Sequence, residues 1–368
     1  MKVREALKRL HIGTMDSMRK YNNKNLYTVS CEFWKKFFEF SRNKYQEWEE
    51  ANILTNKNCP ICNSDHVKLV LERNLDSCRY NKCLNCEFVY ANPNPPSKYY
   101  DEIYKTGYDG IDAWWSKQLE KYNMTEDKIV GSYPAIEMIK KRKKNGSFMD
   151  YGCGSGWVLN KVKDTFDIYG VDLDIGRINE AREKIGDQEG DKIKYYEDIE
   201  DSHYKEMFDV IHANQTIEHL LDPIDFLKKM HRWLKPDGII YLCAPASDSF
   251  GFSFLKENYN VFTLGHVSLF NKKSILCALT SVGFDVLEFR QEGVNLSAID
   301  FWKKIFYINF LHRTSYIDSN FLIVALYPIM LFTTGMLALL TKAGVLKGTT
   351  FYVFAQKKQT FQPHLVSS

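Results

Sequence analysis

From residue 147 onward, short apolar runs alternate with amphipathic stretches of helical period. The runs at 147–151, 168–173, 193–199, 208–213 and 239–244 are bounded by turn residues and are too short for buried helices, so they predict β-strands. Pro236-Asp237-Gly238 predicts a helix stop immediately before the fifth strand. Strand–helix alternation of this kind predicts an α/β fold on a doubly wound, Rossmann-like parallel sheet, with ligands bound at the carboxyl ends of the strands. Strands at 284–288 and 350–355 would complete a seven-stranded sheet within a domain spanning 147–358, with a hydrophobic helical insert at 292–348 between them.

Ahead of the sheet the pattern changes. Residues 1–58 read as a helical segment in which Trp34, Phe37, Phe38, Tyr45 and Trp48 fall on one side of a 3.6-residue period, a packing surface. Residues 59–96 form a cysteine-bearing unit closed by Asn92-Pro-Asn-Pro-Pro96, which cannot continue a helix. Residues 97–146 read as a helical linker or lid ending in Lys140-Lys-Arg-Lys-Lys144, a run expected to complement a helix C-terminus and stay solvated.

With 368 residues the chain accommodates one full α/β domain plus appendages. Its 49 Lys and Arg against 46 Asp and Glu give a net charge of +3, without the dense positive footprint that nucleic-acid binding needs. The first ten residues alternate charged with apolar side chains and lack the apolar core of a secretory signal. Together with nine cysteines, this points to a reducing, cytoplasmic setting.

The candidate chemistry begins at Asp150-Tyr-Gly152-Cys-Gly154-Ser-Gly156, between the first strand and its helix. Alternate glycines let the backbone turn sharply and come close to a ligand. Asp172 ends the second strand, where a carboxylate accepts hydrogen bonds from two ribose hydroxyls, and Asp198 ends the third, within reach of an adenine amino group. Any one of these aspartates also suits an ordinary turn after a strand; the set at these intervals points to a nucleoside.

Adding Gly170-Val-Asp172, Phe208-Asp-Val-Ile211, Ile217-Glu-His-Leu-Leu-Asp-Pro223 and Leu234-Lys-Pro-Asp-Gly238, residues 147–290 and the final strand resemble class I S-adenosylmethionine-dependent methyltransferases. More narrowly they resemble the group that includes ubiquinone-pathway O-methyltransferases and many enzymes of bacterial glycan and natural-product clusters. The resemblance implies S-adenosylmethionine as cofactor. Asp150, Gly152, Gly154 and Gly156 would lie at its methionine part, Asp172 at the ribose, Asp198 at the adenine, and Asn214 and Gln215 near the transferring methyl. A nicotinamide loop fits less well, since its third glycine falls one place later. A hydroxyl or amine acceptor needs a base, for which His219 and His266 are the candidates. His219 reads equally as a capping or packing histidine, so His266 is preferred. Sugar C-methyltransferases carry Glu-His where this chain has Gly265-His266, which counts against C-methylation.

Cys59-Pro-Ile-Cys62 and Cys83-Leu-Asn-Cys86 are two CxxC pairs twenty residues apart, the spacing of a structural zinc ribbon with no open position for catalysis. Cys78 is left over, and Cys31, Cys153, Cys243 and Cys277 are isolated, as core residues are. Zinc-bearing units joined to this fold occur in sugar methyltransferases, where they help build the acceptor pocket, and in ribosomal RNA guanine methyltransferases, where they contact RNA. The segment 88–100 resembles the first setting. Tyr99, Tyr100, Tyr104 and Tyr108 are candidates for that pocket, although for any single one packing between domains is the more expected reading.

Residues 321–341 are twenty-one positions without a charge, flanked by His312-Arg313 and Lys342. Strands on either side that pair in one sheet bring both ends out on the same side, which excludes a single crossing. The segment 296–341, with its aromatic stretch and Lys303 and Lys304, therefore suggests monotopic contact with a membrane surface; a buried helix, or a subunit interface and so an oligomer, is also compatible. The expectation is a zinc-ribbon methyltransferase at the cytoplasmic membrane face that methylates a hydroxyl of a sugar or lipid-linked glycan. An RNA methyltransferase and a non-catalytic scaffold are the rival readings.

Overall fold

The computed structural model describes residues 38–72, 77–96, 134–256, 259, 261–292, 336–337, 339–341 and 343–358. A helix over 38–50 comes first. It buries Phe40, Tyr45 and Trp48 in one cluster with Tyr80, Leu255 and Phe262, so the expected aromatic stripe is packing surface where it is described. Trp34 and Phe37 lie outside the described residues, as do Cys31 and Tyr99, Tyr100, Tyr104 and Tyr108.

Strands β1 (Val67–Glu72), β2 (Arg79–Cys83) and β3 (Val89–Ala91) form the antiparallel ribbon. The helix Pro134–Arg142 leads to β4 (Ser147–Tyr151), β5 (Asp167–Asp172), β6 (Ile193–Tyr195), β7 (Phe208–Asn214) and β8 (Leu234–Pro245). A two-residue strand, β9 (Ser268–Leu269), then pairs with β3 rather than with its sequence neighbours. Finally β10 (Phe284–Glu292) and β11 (Thr350–Lys357) close the main sheet, whose order is β10-β11-β8-β7-β4-β5-β6. Strands β4 to β8 are parallel, while β11 runs antiparallel to β8 and β10. This is the predicted seven-stranded α/β sheet, with carboxyl ends of β4, β5 and β7 side by side.

Local chemistry sets the helices that cover it. Asp222 accepts from the Asp225 amide and Pro223 occupies the first turn of Pro223–Trp233, which buries Phe226, Leu227, Met230 and Trp233 against the sheet. Asp174 caps Ile175–Ile185 by accepting from the Gly176 amide at 2.8 Å. Asn271 and Ser274 form a reciprocal capping box at the start of Lys272–Ser281.

Two local expectations are corrected. The helix before β8 ends at Trp233, and Pro236-Asp237-Gly238 lies inside β8. Asp237 takes a left-handed conformation (φ 63) there, and the β7–β8 register shifts opposite. The basic run is also only partly solvated. The Arg142 guanidinium lies 4.0 Å over the Phe354 ring and pairs with Glu288, so this residue ties its helix to the sheet edge.

The ribbon and the main sheet share one core. Cys59, Cys83, Cys86, Phe88 and Tyr90 are buried in the same cluster as Met149, Phe226, Trp233 and Phe270. Of the insert, 293–335 lies outside the described residues, and among those described no helix is long and apolar enough to cross a membrane. Its two ends are placed: Glu292 pairs with Thr350, and Thr350 with Pro245 at the carboxyl end of β8. Both therefore emerge together, on the same side as the carboxyl ends of the parallel strands.

Candidate active site

The glycine loop leaves β4 and enters the helix Trp157–Val162 through three left-handed glycines, Gly152 (φ 79), Gly154 (φ 50) and Gly156 (φ 72). The three are needed for different reasons. A Cβ on Gly152 would sit 2.6 Å from Thr216 Oγ1, and one on Gly156 would sit 2.8 Å from Ala181 Cβ, so these two allow close packing within the protein. A Cβ on Gly154 would meet nothing within 4 Å; the space beyond this residue is open. The amides of Gly152 and Cys153 donate to Val171 O at 2.8 and 3.0 Å, which locks the loop to the end of β5.

Asp172 lies beside this loop. Its Oδ2 accepts from the Gly154 amide at 2.8 Å and its Oδ1 from the Asp174 amide at 3.0 Å. Burial raises its pKa above the usual carboxylate value, against the lowering effect of these amides. Each carboxylate oxygen retains a second lone pair for a ligand hydroxyl.

A cleft of about 400 Å³ opens at the carboxyl ends of the strands, and Gly152, Asp172, Gln215, Thr216 and His219 are among the residues that line it. Tyr196, Phe226 and Lys229 line it as well. Lys229 Nζ donates to the Tyr196 hydroxyl at 3.0 Å and stands 5.0 Å over that ring. Tyr151 meets Tyr196 and Phe226 edge-on at 6.0 and 5.0 Å, so the aromatic end is braced from behind.

Not every expected residue reaches this cleft. Asp150 is buried, with Oδ1 2.7 Å from His212 Nδ1, and His212 stacks on Tyr241 at 5.2 Å. Its carboxylate supports the sheet beneath the loop and is not among the residues lining the cleft. Asp198 is exposed on a 3-10 turn, because β6 stops at Tyr195, well short of the expected end at 199. Tyr196 lines the cleft in its place. Asn214 ends β7 outside the lining set, while Gln215, in a left-handed conformation (φ 54), lies within it.

The two candidate bases do come together: the rings of His219 and His266 are edge-on at 4.8 Å. His219 Nδ1 donates to Gly265 O at 2.7 Å, and His266 Nδ1 donates to Val261 O at 2.6 Å. A carbonyl can only accept, so both rings carry the proton on Nδ1. Burial lowers the His219 pKa to about 4 and keeps that ring neutral. Beside them is a residue that the histidine-centred reading passed over. Glu218 is fully buried, neither of its carboxylate oxygens has a hydrogen-bond partner among the described residues, and burial pushes its pKa up to about 8. Its position between Ile217 and His219 gave no sign of this, since an acidic residue in a surface turn looks the same in sequence.

The ribbon holds this corner in place. The buried Tyr80 hydroxyl donates to Thr263 O at 2.6 Å and to His266 O at 3.1 Å, and the Ala91 amide donates to Val267 O at 2.9 Å. Ser268 Oγ donates to Leu220 O at 2.6 Å, joining the His266 segment to the His219 turn.

The four ribbon thiols suit a tetrahedral ion. Their sulfurs lie within 4.8 Å of one another, with Cys59–Cys86 at 3.4 Å and Cys62–Cys83 at 3.6 Å. Zn–S bonds of about 2.3 Å put tetrahedral sulfurs roughly 3.8 Å apart, close to these values. The thiols act on one another: burial raises the Cys62 pKa and the Cys59 thiol that of Cys86, while backbone amides and neighbouring thiols lower that of Cys83 despite its burial. Cys78 is buried in a different cluster, with Tyr80 and Leu71, and is a core residue.

Residues 134–289 match the protein family described as a methyltransferase domain. A ubiquinone biosynthesis O-methyltransferase of Actinobacillus pleuropneumoniae serotype 7 (strain AP76) is 29% identical over 152 residues, covering 36% of this chain and 64% of that protein. Phosphoethanolamine N-methyltransferase 1 of Arabidopsis thaliana is 30% identical over 123 residues, covering 31% of this chain and 25% of that protein. The chain thus spans less than two thirds of the length of these relatives. Among solved structures, Haemonchus contortus phosphoethanolamine N-methyltransferase 2 in complex with S-adenosyl-L-methionine aligns with a TM-score of 0.46 at 17% identity, over 74% of this chain and 63% of that one.

Proposed function

Because residues 134–289 are a class I S-adenosylmethionine-dependent methyltransferase domain, we propose that this protein methylates a hydroxyl of a sugar or lipid-linked glycan at a membrane face. The observation that carries the reading is the cleft itself, which is lined by Gly152 and Asp172 together with His219.

In this reading Asp172 holds the ribose hydroxyls, the open space at Gly154 takes the methionine part of the cofactor, and Tyr196 with Phe226 stacks on the adenine. Asp150 acts from beneath by fixing His212 under the loop. S-adenosylmethionine supplies a methyl group on a sulfonium, with a neutral thioether as leaving group. The chain's task is then to line up the acceptor oxygen and exclude water. Gln215 and Thr216 would border the place where the methyl lies, and His219, with the His266 ring edge-on to it at 4.8 Å, would stand next to the acceptor. A histidine of this pair would take the hydroxyl proton, His266 being the preferred base.

The ribbon would hold a structural zinc through Cys59, Cys62, Cys83 and Cys86, and its role would be to keep Tyr80 and β3 against the His266 segment. The insert 296–341 would bring the acceptor. What supports this is that both of its ends leave the sheet on the cleft side. The test is to incubate the full-length protein with methyl-labelled S-adenosylmethionine and cell extract separated into glycan, lipid, RNA and small-molecule fractions. The proposal expects label in glycan or lipid-linked glycan; label confined to RNA would overturn it.

A further inference from the structure

We infer that Asp225 and Lys229 read the edge of the adenine ring, and so set the choice of base in the cofactor, in place of Asp198. Both residues line the cleft. They stand four positions apart on the helix Pro223–Trp233, which puts them on one face with Cβ atoms about 5–6 Å apart. Asp198, the residue that the sequence assigns to the amino group, lies on an exposed 3-10 turn outside the lining set. The inference rests on the cofactor reading of the cleft, in which Tyr196 and Phe226 stack on the adenine.

The chemistry of the pair matches the base. Adenine presents, side by side on one edge, an amino group that donates and the ring nitrogen N7 that accepts. A carboxylate only accepts and an ammonium only donates, so Asp225 suits the amino group and Lys229 suits N7. Lys229 is held for this task. Its Nζ donates to the Tyr196 hydroxyl at 3.0 Å and lies 5.0 Å over that ring, which leaves further N–H donors for a ligand. Asp222 also lines the cleft, but its Oδ1 accepts from the Asp225 amide at 2.9 Å as the helix cap. The Asp225 carboxylate accepts no hydrogen bond and joins no ion pair among the described residues. Stacking on aromatic rings combined with hydrogen bonds along one edge is how proteins recognise an isolated nucleobase.

The consequence is discrimination at position 6 of the purine. Inosine carries a carbonyl oxygen where adenine carries the amino group, and its N7 is unchanged. That oxygen would face the Asp225 carboxylate, acceptor against acceptor, with loss of a charge-assisted hydrogen bond. An asparagine side chain at 225 can turn its amide to donate to the same oxygen. Asp225→Asn should therefore gain affinity for the inosine form as it loses its preference for adenine, and a misfolded variant cannot imitate such a gain.

Titration calorimetry of the full-length protein with S-adenosylhomocysteine and with S-inosylhomocysteine tests this without turnover. Wild type is expected to bind the adenine form about tenfold or more tighter. Asp225→Asn is expected to bring the two within about twofold, with a higher affinity for S-inosylhomocysteine than wild type shows. Lys229→Met removes the contact to N7, which both ligands share, and should weaken both by about fivefold. Equal binding of the two ligands by wild type, an undiminished preference in Asp225→Asn, or wild-type affinity for both in Lys229→Met overturns the inference and leaves the cofactor reading intact. No S-adenosylhomocysteine binding by wild type would overturn the cofactor reading, and this inference with it.

Discussion

The hydroxyl of Tyr80, in the cysteine ribbon, reaches the main-chain oxygen of His266 at 3.1 Å, across 186 positions of sequence. The same hydroxyl donates to Thr263 O at 2.6 Å. Through this residue the ribbon sets the path of the segment that carries His266, whose ring meets the cleft-lining His219 edge-on at 4.8 Å.

Tyr80→Phe removes both bonds; Thr263 O keeps the His266 amide as a donor at 2.9 Å, so the variant is expected to destabilise the protein by about 1 kcal/mol. If the ribbon positions the acceptor wall, the variant raises the KM for the acceptor while its affinity for S-adenosylmethionine stays near wild type. Denaturant unfolding and steady-state kinetics check the two halves; a variant that loses cofactor affinity instead would contradict the assignment.

The glycines of the loop are expected to separate. Gly156→Ala places a methyl 2.8 Å from Ala181 Cβ in a left-handed conformation, so thermal stability falls. Gly154→Ala meets no protein atom within 4 Å, and the left-handed backbone adds only about 1–2 kcal/mol. Its main effect should be on cofactor affinity, because the methyl enters the space assigned to the ligand. Thermal unfolding with and without S-adenosylhomocysteine distinguishes the two.

Cys86→Ser is expected to release zinc and to lower the unfolding temperature, since the Cys59–Cys86 pair belongs to the core that the ribbon shares with the main sheet. Metal analysis of purified wild type should find one zinc per chain. Wild type free of zinc and as stable as before chelation would remove the ion from the account.

Deleting 296–345 is expected to abolish flotation with liposomes of anionic lipid. Full-length protein that stays out of the liposome layer at low salt would end the membrane part of the proposal.

Much of this arrangement was legible in the chain itself. The seven strands and the doubly wound class of the sheet followed from apolar runs and turn residues, because each strand is short, buried and punctuated locally. The glycine loop and Asp172 were legible for the same reason: the sharp turn and the strand end are local features. What could not be read depended on contacts between distant segments. Tyr196 replaces Asp198 in the cleft because β6 ends early, and a period-two pattern does not register that. Asp150 turned out to support the sheet through His212, a partner on another strand. The pairing of β3 with β9, and the isolation of Glu218 beside two histidines, arise only when the chain closes on itself.

The central claim is that the Gly152–Asp172 corner holds S-adenosylmethionine, and titration calorimetry of wild type and Asp172→Asn tests it most directly. Asn cannot accept from two ribose hydroxyls while serving the Gly154 and Asp174 amides. The account predicts saturable binding by wild type, weakened about ten- to a hundredfold in Asp172→Asn, with Asp198→Asn close to wild type. Equal affinity in wild type and Asp172→Asn, or no binding by wild type, would contradict it.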